Sequence, residues 1–259
     1  MAGITWRALA STVASTVAST ASIAVLIMCA PPLIAPAAAQ FQAEVAWCGN
    51  KGNNTAPNLQ IQGCAAVIAS GRMTGKALAW AYNNRGTGYR RLSDLDHALA
   101  DYNQALALDP AYAVALYNRG SLYDGKDDHT RAIADYDAAI RSDPNYADAY
   151  NGRCLARAEA GTDLAQALAD CNQALKLDAG DGYILDSRGF VYLRLGQFDD
   201  AIADYNAALK INPKIASSLY GRGVAKLKKG DSSGGTVDMA TANMIDPQIA
   251  GNFASYGVK

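Results

Sequence analysis

Apolar and small residues recur along most of this chain at steps of three and four, the spacing of one face of a helix. From residue 79 onward they form paired stretches of about a dozen residues each. A short turn containing Gly or Asp divides each pair, as in Leu195-Gly196-Gln197-Phe198. Each pair therefore predicts two helices joined tightly. A Pro near the end of most pairs stops one helix and opens the next pair, since it lacks an N–H and restricts the residue before it. No pair predicts a strand. Ahead of them, Leu59–Ile68 predicts a single helix without a clear partner.

The pairs are copies of one another. Asn84-Arg85-Gly86 and Asn118-Arg119-Gly120 lie 34 residues apart. Arg188-Gly189 and Arg222-Gly223 share that spacing, as do Asp109-Pro110 with Asp143-Pro144 and Asn212-Pro213 with Asp246-Pro247. Pro144 and Pro213 are 69 apart, two periods plus one, which puts an extra residue in the Ala160–Leu164 turn. Five units follow: 79–112, 113–146, 147–181, 182–215 and 216–249. A fixed period of this length marks a solenoid, in which each unit buries its apolar face only against its neighbours.

Aligned on their first residues, and allowing for the insertion, the units share a code. Position 8 is small: Gly86, Gly120, Cys154, Gly189, Gly223. Position 20 is Ala98, Ala132, Ala167, Ala201, Gly235, and position 27 is Ala105, Ala139, Ala174, Ala208, Ala242. Position 24 is Tyr102, Tyr136, Cys171, Tyr205, Met239, and position 32 is Pro except for Ala179. In this code the chain resembles the tetratricopeptide-repeat (TPR) family over 79–247. The resemblance implies an all-α, right-handed solenoid of five helical hairpins, in which the small residues allow close helix approach and position 24 fills the space between hairpins. Outside the repeats, 40–78 is expected to form a half-repeat pinned by a disulfide. Residues 248–259, with Ile249, Phe253 and Tyr256 on one face, are expected to form a capping helix. The fifth unit, with Ser232-Ser233-Gly234-Gly235, is expected to be the least stable, as glycine costs about 1 kcal/mol inside a helix.

Charge narrows the function classes. With 23 basic and 24 acidic residues and no basic run, the chain is not suited to hold nucleic acid by neutralising phosphates. Residues 1–39 carry Arg7 and no acidic residue. They continue through apolar Ile23–Ala30 and Pro31, Pro32 and Pro36 to Ala37-Ala38-Ala39, the parts of an export signal cleaved after Ala39. An uncleaved anchor over 8–30 is the alternative, though its Ser, Thr and Ala make a weak span. Cleavage predicts an exported, periplasmic chain without stable membrane insertion.

Cys29 leaves with the signal, and four cysteines allow three pairings. In the repeat code, positions 8 and 24 face each other across the hairpin, and only the third unit has Cys at both. That favours Cys154–Cys171 and leaves Cys48–Cys64; four reduced thiols are the alternative. Position 7 is arginine in all five units (Arg85, Arg119, Arg153, Arg188, Arg222) and position 23 is aspartate (Asp101, Asp135, Asp170, Asp204, Asp238). Such a ladder predicts inter-helix ion pairs that fix stacking register, with Asp101 and Arg119 as an expected couple, rather than an anion-binding surface. Gly230-Asp231-Ser232-Ser233-Gly234 matches G-x-S-x-G by letter, but no strand precedes it. His97 and His129 read as turn or surface residues, and no metal, cofactor or catalytic group is expected.

TPR grooves are lined by positions 2, 5, 9, 12 and 13 of the first helices. Carried onto this chain, the resemblance implies a partner-binding groove of Trp80, Asn83, Arg90, Arg91, Tyr117, Asn151, Tyr183, Asp186 and Tyr220. The implied function is an exported scaffold that holds a peptide or protein of the cell envelope, with an acidic stretch near Arg90 and Arg91. The alternative is a structural subunit that uses its convex face or edge.

Overall fold

The small residues of the repeat code set how closely the helices pack, and a computed structural model describes the outcome for residues 37–258. Its helices are α1 (Ala37–Gly49), α2 (Pro57–Ala69), α3 (Gly75–Arg91), α4 (Leu95–Leu108), α5 (Ala113–Asp124), α6 (His129–Ser142), α7 (Ala147–Ala160), α8 (Leu164–Leu177), α9 (Gly182–Arg194), α10 (Phe198–Ile211), α11 (Ala216–Lys228), α12 (Ser232–Ile245) and α13 (Ile249–Ser255). No strand occurs among the described residues. The described residues form an all-α solenoid whose repeated hairpins run from α3/α4 through α11/α12. Each first helix also touches the first helix of the next unit, so α3, α5, α7, α9 and α11 form the inner, concave layer.

Inside a hairpin, position 8 lies under the ring of position 24. A Cβ added to Gly86 would come within 2.8 Å of Tyr102 Cε1, and one on Gly189 within 2.9 Å of Tyr205 Cε1. The ring also reaches forward: a Cβ on Gly152 would meet Tyr136 Cζ at 2.6 Å. Tyr102, Tyr136 and Tyr205 are thus buried between a glycine of their own unit and the next hairpin. In the third unit the same two positions carry the Cys154–Cys171 disulfide, so a covalent bond stands where its neighbours stack a ring on glycine.

The arginine ladder is bidentate within each unit. Arg119 donates from Nε and Nη2 to Asp135 at 2.8 and 2.7 Å, and Arg85, Arg153, Arg188 and Arg222 repeat the fork on Asp101, Asp170, Asp204 and Asp238. The expected Asp101–Arg119 pairing is corrected here: Asp101 is held by Arg85, and Arg119 turns to its own hairpin. What links successive units is the remaining nitrogen. Nη1 of Arg119, Arg153, Arg188 and Arg222 donates to Asn103, Asp137, Asn172 and Asn206, all at position 25 of the preceding unit. One planar guanidinium thereby ties three helices, a geometry that lysine cannot reproduce.

Each second helix ends on an Asp or Asn whose side chain accepts the N–H two residues on, as Asp109 does from Ala111 and Asp178 from Gly180. This Asx turn closes the third unit as well, where Ala179 replaces the usual proline. The inserted residue is taken up at Gly161 and Asp163, both with positive φ.

The N-terminal end departs from expectation. In place of the half-repeat expected over 40–78, a complete hairpin of α1 and α2 stands there, cross-linked by Cys48–Cys64 and packed on α3. Its helices meet at Gly63, where a Cβ would lie 2.7 Å from the Glu44 carbonyl oxygen and 2.8 Å from Trp47 Cβ. The expected cleavage point after Ala39 falls in the first turn of α1, while the rest of the proposed signal lies outside the described residues. No described helix is long and apolar enough to cross a membrane. At the other end, α13 turns its buried Ile249 and Phe253 inward against α9 and α11, leaving Val237, Met244 and Ile245 of α12 exposed.

Candidate functional site: the concave face

The first helices supply the inner surface, and the structure divides the nine groove candidates into two sets. Four are occupied by the fold. Trp80 packs with Cys48, Cys64 and Val67 under the N-terminal hairpin. Asn83 is buried, its Oδ1 accepting from Asn118 Nδ2 at 2.9 Å across the interface between units. Arg91 donates to the Thr55 carbonyl and to Gln60 Oε1, both at 2.9 Å, and so anchors α2 rather than facing a partner. Tyr220 is covered by Phe253, ring centroids 4.8 Å apart.

The other five remain on the inner face. Arg90 is exposed, and Tyr183 is 59% exposed. Tyr117 is half-buried between Tyr136 and Tyr146, at centroid distances of 5.8 and 5.3 Å. Asn151 and Asp186 are half-buried. The Asn151 Oδ1 has no hydrogen-bond partner, while Asp186 accepts from Ser217 and Ser218 at 2.7 and 2.6 Å.

These residues share a field that is mostly negative. Burial raises the Tyr117 phenol above its ordinary value, and Asp148, Asp181 and Asp124 raise it further, with Arg90 pulling the other way. Burial likewise holds the Asp148 carboxyl above the carboxylate range, with Asp181 and Asp178 adding to it. Desolvation pushes Asp186 up to about 6 against its serine hydrogen bonds.

Glu159 was not among the candidates. Burial pushes its carboxyl to about 8, with Asp124 adding to the rise. It stands at position 13 and Asp124 at position 12 of their units, both groove positions, so the repeat register could have found them. Between them lies His129, which opens α6 as a turn residue but is largely covered by the neighbouring unit. Its Nδ1 is 2.8 Å from Asp124 Oδ1 and 4.0 Å from Glu159 Oε2. One nitrogen and two carboxylate oxygens lie within 4.8 Å of one another, a donor set that an imidazolium proton or a divalent cation could neutralise. His97, by contrast, is exposed and paired with Asp94 at its helix start.

Glu159 links the site to stability. Its folded pKa is raised, so its contribution is fully present below about 4.5 and lost as pH rises through about 8. Glu159→Gln removes the titration with little change in shape. Its unfolding free energy should match the parent at pH 4.5 and exceed it by about 2 kcal/mol at pH 9, allowing for residual hydration. Urea unfolding at the two pH values checks this; equal stability of parent and variant at both would contradict it.

Residues 79–112 and 113–146 each match a family profile described as tetratricopeptide repeat, and 189–230 match one described as TPR repeat. No curated protein matches the chain. Among solved structures, a tetratricopeptide repeat protein from Parabacteroides merdae is 16% identical, covering 84% of this chain and 90% of its own, with a TM-score of 0.63. TTC0263, a TPR protein of Thermus thermophilus, is 20% identical over 69% of this chain and 97% of its own, at 0.57. YrrB, described as a TPR protein with an unusual peptide-binding site, is 21% identical over 75% of this chain and 97% of its own, at 0.53. At these identities the likeness is one of fold.

Proposed function

The chain belongs to the tetratricopeptide-repeat family, a class of protein-interaction scaffold, and on that premise we propose that it is an exported scaffold whose concave face holds an extended, mainly basic segment of a cell-envelope protein. The observation that carries the reading is the charge around Tyr117. Asp148, Asp181 and Asp124 all raise the Tyr117 phenol, and Arg90 lowers it. No Lys or Arg pairs with Asp148 or Asp181 among the described residues. Carboxylates without counter-charge are stabilised in their charged form by an incoming cation. Basic side chains thus suit the middle of the face and an acidic one suits Arg90, which narrows the acidic stretch expected from Arg90 and Arg91 together. That YrrB is described as binding a peptide is in keeping with an extended ligand. Export is supported by the signal pattern of 1–39 and by four paired cysteines, which persist in oxidising compartments.

Arg90→Glu combined with Asp148→Lys should cut partner capture by at least about tenfold, the equivalent of one 1.4 kcal/mol step. Capture by the parent should weaken with salt. The measurement is photocrosslinking from position 183 in envelope extract, with the parent at several ionic strengths. Capture that survives the double reversal overturns this reading.

A structural-subunit reading has one observation in its favour. Met244 and Val237 are 78% and 64% exposed on α12, so the last repeat offers an apolar edge on which another unit could stack. Val237→Glu with Met244→Glu should then break the assembly and leave groove capture intact.

A further inference from the structure

We infer that the space between α13 and the inner face of the third to fifth units is a binding site for one alkylammonium or guanidinium group carried on an apolar stem. A cavity of about 180 Å³ lies there, its floor formed by Asp186, Phe190 and Tyr205, one wall by Glu159 and its roof by Phe253 and Tyr256. A single water needs only about 10–15 Å³ of such volume, so the space admits a chain of several atoms.

The Tyr205 hydroxyl is the first sign of a ligand. The residue is 0% exposed and its Oη has no hydrogen-bond partner. Its counterpart Tyr102 is provided for, with its Oη 3.5 Å from Thr87 Oγ1. Thr87 and Ser121 occupy position 9, which in the fourth unit is Phe190. That change removes the local partner and adds an aromatic wall. A buried hydroxyl left unpaired costs about 1–3 kcal/mol, so a site that supplies its partner gains binding strength.

The second sign is charge. Asp186 has only the Ser217 and Ser218 hydroxyls, and Glu159 has only the imidazole it shares with Asp124 and the neighbouring Tyr256 phenol. No Lys or Arg side chain pairs with either carboxyl among the described residues. Arg194 approaches the Phe190 ring, but its Nη1 is spent on the Ala158 carbonyl at 2.6 Å. The third sign is the aromatic surround. Phe253 and Tyr256 meet Phe190 edge-on at centroid distances of 5.5 and 5.8 Å. Carboxylates at one end and aromatic faces along the walls are the chemistry that holds a cation with a greasy stem. A neutral apolar guest would leave the Tyr205 oxygen without a partner and bring neither carboxyl a Lys- or Arg-like counter-charge. Tyr117, Arg90, Asp148 and Asp181 do not line this space, and its cation can come from a free amine or from one Lys or Arg side chain.

The test is calorimetry on the oxidised full chain with 1,5-diaminopentane, agmatine and a blocked Gly-Lys-Gly tripeptide, with 1-pentanol as the neutral stem. The cations should bind and pentanol should not. Tripeptide binding without diamine binding would assign the source to a side chain; diamine binding would show that the stem and charge suffice. Glu159→Gln and Asp186→Asn should each weaken the bound cation at least tenfold. Tyr205→Phe should weaken it severalfold without lowering the unfolding temperature, a combination that a merely damaged fold does not give. Arg90→Glu with Asp148→Lys should leave it unchanged, so failure here and failure of the partner reading are separable. Equal binding of pentanol and diamine, or no cation binding at millimolar concentration, overturns the inference.

Discussion

Arg119→Ala should lower the stability of the oxidised protein by about 3–5 kcal/mol, the cost of leaving a buried charge without its partner. Asp135 is buried, and both of its oxygens accept from Arg119. Removing the guanidinium also frees Asn103 in the preceding unit, so the damage crosses the interface. Arg119→Lys should recover only part of the loss, since one ammonium cannot fork onto a carboxylate and reach back to Asn103. Double-mutant cycles locate the energy. Coupling should be largest with Asp135, smaller with Asn103, and within about 0.5 kcal/mol of zero with Asp101, which belongs to Arg85. Comparable coupling to Asp101 and Asp135 would refute the clamp as described. Because stability in a solenoid is carried by each unit and its neighbours, the loss should appear as a weakened second unit rather than a uniform change.

Replacing Cys154 and Cys171 together with serine should cost about 3 kcal/mol in the chain-entropy account, for a closed loop spanning 17 residues. A second loss follows from packing. The neighbouring units fill this point with a tyrosine ring on glycine, whereas the serine pair would leave polar groups and a void. Cys154→Gly with Cys171→Tyr restores the local rule and should regain more than half of the deficit under reducing and oxidising conditions alike. Denaturant midpoints of parent, serine pair and glycine–tyrosine pair decide it. A restored pair no more stable than the serine pair would mean that the bridge does not stand in for ring packing. Cys48–Cys64 offers no such repair, because the hairpin it joins lacks the repeat code.

Much of the fold was legible because repetition multiplies weak signals. One Gly at position 8 says little, but four glycines and a cysteine there, opposite three rings, a methionine and a second cysteine, define a hairpin. That register favours Cys154–Cys171, which leaves Cys48–Cys64 as the second pair. Legibility failed where repetition ended. Nothing in Ala37–Gly49 repeats, so α1 was not separable from irregular chain; Gly63 was its one clue, a small residue where two helices nearly touch. The groove was half legible. Register names the positions that face inward, but not what covers them, and Trp80 and Tyr220 lie beneath the terminal segments.

The sequence by itself determined the five repeat hairpins, their turns, the Cys154–Cys171 pairing and the Arg–Asp ladder. All of these rest on short-range spacing within one period. Only the tertiary structure decided which aspartate each arginine holds, and that its third nitrogen, rather than the carboxylate, bridges the units. It alone decided that Glu159, Asp186 and the orphaned Tyr205 hydroxyl converge beneath Phe253. Those outcomes depend on where α13 folds back and on how side chains from different units meet, and no fixed spacing along a chain encodes distances between residues that only curvature brings together.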